Sequence, residues 1–183
     1  MISLRRPNES QIETYRQQRL GSEPTHSSLL GADEGLRSDT YIRTIGTGSK
    51  AFGAARTGLT QWVAHRGAGV EIYPRNAQLV EGETVVLATQ QLGLWVLAAC
   101  RIESVVSESR SFGFTYATLP DHPERGFESF VVSQIGDRVD FEIRAVSVPA
   151  TVLTRVGSPV SRKIQERITN GYIDAVERHV KNQ

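Results

Sequence analysis

Cysteine is nearly missing from this chain of 183 residues, with Cys100 as its sole representative. One thiol cannot close an intramolecular disulfide, and a thiolate zinc site needs several. An excess of either charge is missing too. Lys and Arg number 21 against 20 Asp and Glu, a formal net charge of +1. A surface that tracks phosphates needs a basic excess or a concentrated stripe, so nucleic acid is not an expected partner. Long hydrophobic runs are lacking as well. The longest apolar stretch is broken by Gln90, Gln91 and Arg101, well short of the ~20 residues that span a bilayer. No integral membrane segment is expected. The opening MISLRRPNES has two arginines and no apolar run behind them, unlike a secretory signal. Cytoplasmic localisation follows as the expectation.

What remains is the composition of a folded chain, 39% hydrophobic with mixed charges. Its length fits a single domain over residues 1–183. Ser10 and Glu13 have capping-box spacing, and Ile12, Tyr15 and Leu20 share a face before Gly21. Residues 1–21 therefore read as a peripheral N-terminal helix that packs on the body or on a partner. From Gly21 to Asp39 the chain is rich in Ser, Gly and Asp and reads as loop, with a short strand around His26–Leu30. After Gly48, the residues Phe52, Ala55, Leu59, Trp62 and Val63 fall on one helical face, which Gly67 and Gly69 end.

The pattern then turns to period two for about 80 residues. Val70 and Ile72 before Pro74, Thr84–Thr89, Leu94–Ile102, Phe112–Tyr116, Phe127–Val132 and Val139–Val146 each read as a strand. Gly136-Asp137 marks a tight hairpin turn. No helix intervenes, so the strands form an antiparallel meander. A final helix starts at Ser158-Pro159, with Val160, Ile164, Ile168, Tyr172, Ala175 and His179 along one side. Extending to Lys181, it spans roughly 33 Å at 1.5 Å per residue, enough to cross the whole sheet.

These elements predict an α+β fold. A curved antiparallel sheet of about six or seven strands wraps a long C-terminal helix, with one or two small helices ahead of the meander. Gly93, Gly113 and Gly126 lie in or beside strands, where glycine marks bends. A curved sheet over a helix leaves room for a cavity, which makes a pocket the default functional expectation.

The richest stretch is 112–130. Alternating aromatics run into a loop that holds Asp121, His122, Glu124 and Arg125 between Pro120 and Gly126. Gly113-Phe114-x-Tyr116-x-Thr118-Leu119-Pro120-x-His122-Pro123-Glu124 and Gly126-x-Glu128-x-x-Phe130 resemble the DUF1990, or UPF0548, family. So do Gly46-x-Gly48 with Phe52, Ala55 and Trp62, and Ser147, Pro149, Arg155, Gly157, Pro159, Arg162, Gln165 and Tyr172. The resemblance covers most of the chain. It departs at Phe127, where the family pattern has a second glutamate beside Glu128. The resemblance implies kinship with helix-grip proteins of the START-like and Bet v 1-like kind, and it brings no established activity. Fold does not fix function.

The polar residues admit sharp and plain readings. His122 and Glu128 form an acid–base pair at a pocket rim, with Tyr116 or Thr118 as donor; or Asp121, His122 and Glu124 tie down a proline-bounded loop through backbone bonds. His122, Glu124 and Glu128 match no metal-ligand spacing, and His26, His65 and His179 lie on other segments, so no metal is expected. Gly46-Thr47-Gly48-Ser49 lacks a following Lys-Ser or Lys-Thr and reads as a sharp turn into a helix rather than a phosphate loop. Arg155, Arg162 and Gln165 either meet an anionic head group or cap strands and pair with Glu166. Cys100 reads as a small buried hydrophobe.

The leading expectation is a module that binds a small apolar or amphipathic ligand between sheet and helix, without a cofactor. Tyr116, Thr118, His122, Glu128 and Arg155 would make the polar contacts. Acid–base catalysis by His122 and Glu128 is the alternative. A second alternative is an interaction scaffold or homo-oligomer using the N-terminal helix or a sheet edge.

Overall fold

Antiparallel pairing runs unbroken through the computed structural model, which describes residues 1–28, 36–149 and 158–183. The elements are β1 (Ile2–Ser3), α1 (Glu9–Gln17), β2 (Arg37–Thr47), α2 (Gly48–Thr60), α3 (Val63–Gly67), β3 (Val70–Tyr73), β4 (Thr84–Gln91), β5 (Leu94–Ser107), β6 (Ser111–Thr118), β7 (Glu124–Ile135), β8 (Arg138–Pro149) and α4 (Ser158–Lys181). The sheet order is β2-β8-β7-β6-β5-β4-β3, with β1 added on β5. Six of the eight strands are those that the period-two pattern predicts; β1 and β2 are additional.

Strand β2 corrects the loop expected up to Asp39. Its burial alternates only weakly, because as an edge strand it has one neighbour, β8, and leaves Ile42 exposed. No strand forms over His26–Ser28, and residues 29–30 lie outside the described residues. The single helix expected around Phe52–Val63 is two helices. Trp62 interrupts them with φ +58°, its ring buried and its indole N–H donating to the Ala77 carbonyl at 3.0 Å. Packing of one large side chain overrides the helical periodicity there. At the N-terminus the capping box is Asn8 with Gln11 rather than Ser10 with Glu13, and Leu20 is exposed instead of sharing the buried face of Ile12 and Tyr15.

The two sheet faces have different partners. On the inner face Phe112, Phe114, Tyr116, Phe130 and Phe141 pack with Trp62 and with Tyr172, Ile173 and Val176 of α4. On the outer face Ile12 and Tyr15 of α1 cover Val86, Ala88, Leu97 and Ala99. Strand alternation sends successive residues to these opposite sides. Bulges at Ile102/Ser104 in β5 and Thr44/Gly46 in β2 bend the sheet around α4. Gly126 makes the closest strand approach. It sits at φ +154°, and a Cβ there would lie 1.9 Å from the Val146 carbonyl oxygen. Helix α4 packs its last turns on α2 and α3, and Arg43 of β2 pairs with its Asp174 and Glu177. Its residues Ile164 to Tyr172 pass over a hollow. Among the described residues no helix is long and apolar enough to cross a membrane.

Candidate functional site

That hollow is a cavity of about 380 Å³ between the inner face of the sheet and the first half of α4. Val70, Leu87, Val96 and Ala98 from the strands and Ile164 and Ile168 from the helix make its apolar wall. Tyr116, Glu128, Glu124, His122, Ser147 and Gln165 supply its polar end.

The register of three strands creates the polar centre. Tyr116 of β6, Glu128 of β7 and Ala145 of β8 lie in one row on the inner face. Tyr116 donates its hydroxyl to Glu128 Oε2 at 2.6 Å, and the small Ala145 leaves open space beside the carboxyl. Behind Tyr116, His65 Nε2 lies 3.3 Å from the phenol oxygen, while His65 Nδ1 is buried without a partner. Since the phenol proton is engaged by Glu128, Nε2 carries the hydrogen in this bond. Burial pushes the His65 pKa down to about 3, so the ring is neutral.

Glu128 lines the cavity and is largely buried. That burial raises its pKa to about 7; the Tyr116 bond pulls downward and the charge of Glu124 pushes it further up. Glu124 is raised as well, again by burial, with the Ser147 bond opposing. It accepts from Ser147 Oγ at 2.8 Å and from Gln165 Nε2 at 3.4 Å, which links β7, β8 and α4.

His122 and Thr118 border the same cavity, with their polar atoms largely engaged by the loop. The Nδ1 atom of His122 lies 3.0 Å from the Glu124 amide nitrogen, whose hydrogen it accepts. Burial lowers the His122 pKa to about 4. Thr118 Oγ1 accepts the Gly126 N–H at 3.0 Å and meets the Thr25 hydroxyl. Asp121 pairs with Arg19 at 2.6 Å, which fastens the turn after α1 to the loop. The plain loop-tying reading thus describes His122 and the Glu124 backbone, whereas the Asp121 carboxylate bonds Arg19 and the Glu124 carboxyl bonds Ser147 and Gln165. His122 and Glu128 share a cavity, yet the hydrogen-bond partner of Glu128 is Tyr116 and not His122.

Arg155 lies outside the described residues, and of Arg162 only the helical backbone is described. Phe127 points away from Glu128 onto the outer face, stacked by His26 at 6.2 Å with the Arg144 guanidinium over its ring. Although residue 127 borders the cavity, its side chain packs with Ala117 and Val146 on the other side of the sheet, so the departure at Phe127 leaves the Tyr116–Glu128 pair intact. His65 was absent from the expected site. The one available signal was its place next to Trp62 and Val63 on an otherwise apolar helical face. Among the described residues no group of three His, Cys, Asp or Glu could hold a metal ion. A second, wider depression of about 1030 Å³ borders α3 and the end of α4, with Arg56, Arg66, Arg75 and Arg178 on its rim.

A family model described as a domain of unknown function, DUF1990, matches residues 23–175. The chain belongs to the DUF1990 family. A UPF0548 protein of Dictyostelium discoideum is 28% identical over 194 residues, covering 91% of this chain and 90% of that one. A UPF0548 protein of Deinococcus radiodurans is 29% identical over 192 residues, covering 94% and 95%. Among solved structures, Ara h 8.0201, a Bet v 1-like fold, superposes with a TM-score of 0.52 at 13% identity, over 81% of this chain and all of that one. At such identity the likeness is one of fold. It agrees with the helix-grip arrangement that the resemblance in the sequence implied for this DUF1990 chain.

Proposed function

We propose that this DUF1990 protein binds a small, mostly apolar molecule in the sheet–helix cavity. One observation carries the reading: an apolar hollow of about 380 Å³ remains inside a closely packed fold, with convergent polar groups at one end. Ligand pockets typically measure about 300–1,000 Å³ and combine apolar walls with a few placed polar groups. Tyr116 and Glu128 would make the principal polar contacts. His122 and Thr118 would shape the rim, their inward atoms being held by the loop. The chain would act as a cytoplasmic carrier or sensor of its ligand.

The test uses a neutral environment-sensitive dye, Nile red, and a blocked cavity. Ala98 lines the wall and is small, so Ala98→Phe fills the hollow. The parent is expected to bind the dye with enhanced fluorescence and to release a co-purifying molecule in native mass spectrometry. The Ala98→Phe variant should do neither. Equal dye binding by both proteins would place the dye elsewhere and reject the reading.

One observation favours a second reading, proton transfer on a bound molecule. Glu128, with a pKa near 7, sits against Tyr116 in a water-poor site. The acid–base pair would then be Glu128 with Tyr116 rather than with His122.

A further inference from the structure

We infer that the molecule held in the sheet–helix cavity ends in an ammonium group, which docks at Glu128 and Glu124. This deepens the ligand-binding reading and rests on it. Charge is the first argument. Among the described residues, the cavity lining contains those two carboxyl groups and neither lysine nor arginine. A carboxylate or phosphate end would meet like charge there, with no cation among the described lining residues; Arg37, whose charge acts on Glu124, stands outside that lining.

Hydrogen-bond inventory is the second argument. Tyr116 donates to Glu128 at 2.6 Å and Ser147 donates to Glu124 at 2.8 Å. The neighbouring hydroxyl protons are therefore already engaged by the carboxyl groups. A carboxylate has about four acceptor positions, so both retain spare capacity to accept. Toward the ionised carboxyl groups, the occupant can only donate. An alcohol offers one hydrogen and no charge, whereas a primary ammonium offers three donors and the compensating positive charge.

The surroundings give the preference a pH dependence. The groups facing Glu128 are Tyr116 on β6, Glu124 on β7, Cys100 on β5 and Tyr172 on α4, with His65 behind Tyr116 and His122 on the adjoining loop. None is cationic near neutrality: the two histidines titrate at about 3 and about 4. Around Glu124 the charges of Arg37 and Asp39 act in opposite directions, and the N-terminal ammonium acts on His122, so Glu128 is the carboxyl that a docked ammonium meets without a competing cation among the described residues. The docked group favours the ionised form of Glu128, and each unit by which it lowers that pKa adds a factor of about ten in affinity between acid and alkaline pH.

The experiment compares octylamine, octanol and octanoate, which share one chain and differ at the head. Each displaces Nile red from the full-length protein. At about pH 8 octylamine should bind at least about tenfold more tightly than octanol, with octanoate weakest. That advantage should shrink toward about pH 5.5 as Glu128 takes up its proton. Glu128→Gln keeps an acceptor for Tyr116 and removes the charge, so most of the octylamine advantage should vanish. Glu124→Gln is the second variant and should reduce it in the same direction. Equal affinities for the three heads, or a preference undiminished in both variants, would overturn the inference while leaving the cavity reading in place. If none of the three displaces the dye, the ligand-binding reading falls and this one with it.

Discussion

Glu128 holds a carboxyl group whose environment works against its charge, and this has a consequence for stability. Its pKa rises from the usual value of 4.5 to about 7 in the fold. An acid raised on folding binds more protons when native, so stability is highest below the unfolded pKa and declines as pH climbs toward the folded one. The loss amounts to about 3 kcal/mol once Glu128 is fully ionised. Replacing it with Gln removes that decline. Urea denaturation should find Glu128→Gln close to the parent at pH ~5 and about 3 kcal/mol more stable at pH ~8. His65 and His122 act in the other direction. Both are held neutral with pKa values of about 3 and about 4, so their contribution is present above ~6.5 and fades as pH falls through the native values. The parent should therefore be most stable near pH ~6.5, and equal stability at pH 5 and 8 in parent and variant alike would refute the account. Gly126 gives a backbone counterpart. Ala there would force Cβ to within 1.9 Å of the Val146 carbonyl oxygen at φ +154°. Gly126→Ala should cost several kcal/mol, on the order of 4, or prevent folding, as read by thermal unfolding or soluble yield.

At the scale of elements, α1 covers an apolar patch on the outer face of the sheet. Ile12 is 2% exposed and sits on Val86, Ala88, Leu97 and Ala99. Arg101 secures the following turn through the carbonyls of Ser22 at 2.9 Å and Leu20 at 2.6 Å. Ile12→Ala is expected to lower unfolding free energy by about 2–4 kcal/mol without altering far-UV circular dichroism, since it empties a contact between two preformed surfaces. The other elements differ in how much of them could be read from residues alone. The meander and α4 were legible because their signals are local: alternation at 112–116 and 127–132, and Ser158-Pro159 ahead of a helical stripe. Strand β2 was not, because an edge strand buries one side only and Arg37–Thr47 lacks a continuous apolar face. The break at Trp62 was hidden for a different reason; it depends on a hydrogen bond to Ala77, in the segment between β3 and β4. In the site, the hairpin motif pointed to Tyr116, Thr118, His122 and Glu128, and all four border one cavity. Who bonds with whom was not legible. Tyr116 and Glu128 meet through the β6–β7 register, and His65 joins them from a separate helix.

Seen whole, the molecule separates its charges although their sum is only +1. Glu124 and Glu128 line the cavity under α4, and Arg56, Arg66, Arg75 and Arg178 line the depression beside α3. The sheet–helix cavity can couple occupancy to the stability of the entire fold, because its lining comes from β3 through β8 and from α4 together. A ligand that binds only the native state adds RT ln(1 + [L]/Kd) to unfolding free energy, about 2.7 kcal/mol at a hundredfold excess over Kd. For a domain of this size each kcal/mol moves Tm by roughly 2–4 °C. Saturating octylamine at about pH 8 should therefore raise Tm by roughly 5–10 °C in the parent. The filled-cavity variant Ala98→Phe should show no such rise, since the space is already taken by protein. Scanning calorimetry with and without the amine distinguishes the two cases. An equal rise in the blocked variant would locate the binding on another surface, and no rise in the parent would show that occupancy does not favour the native state.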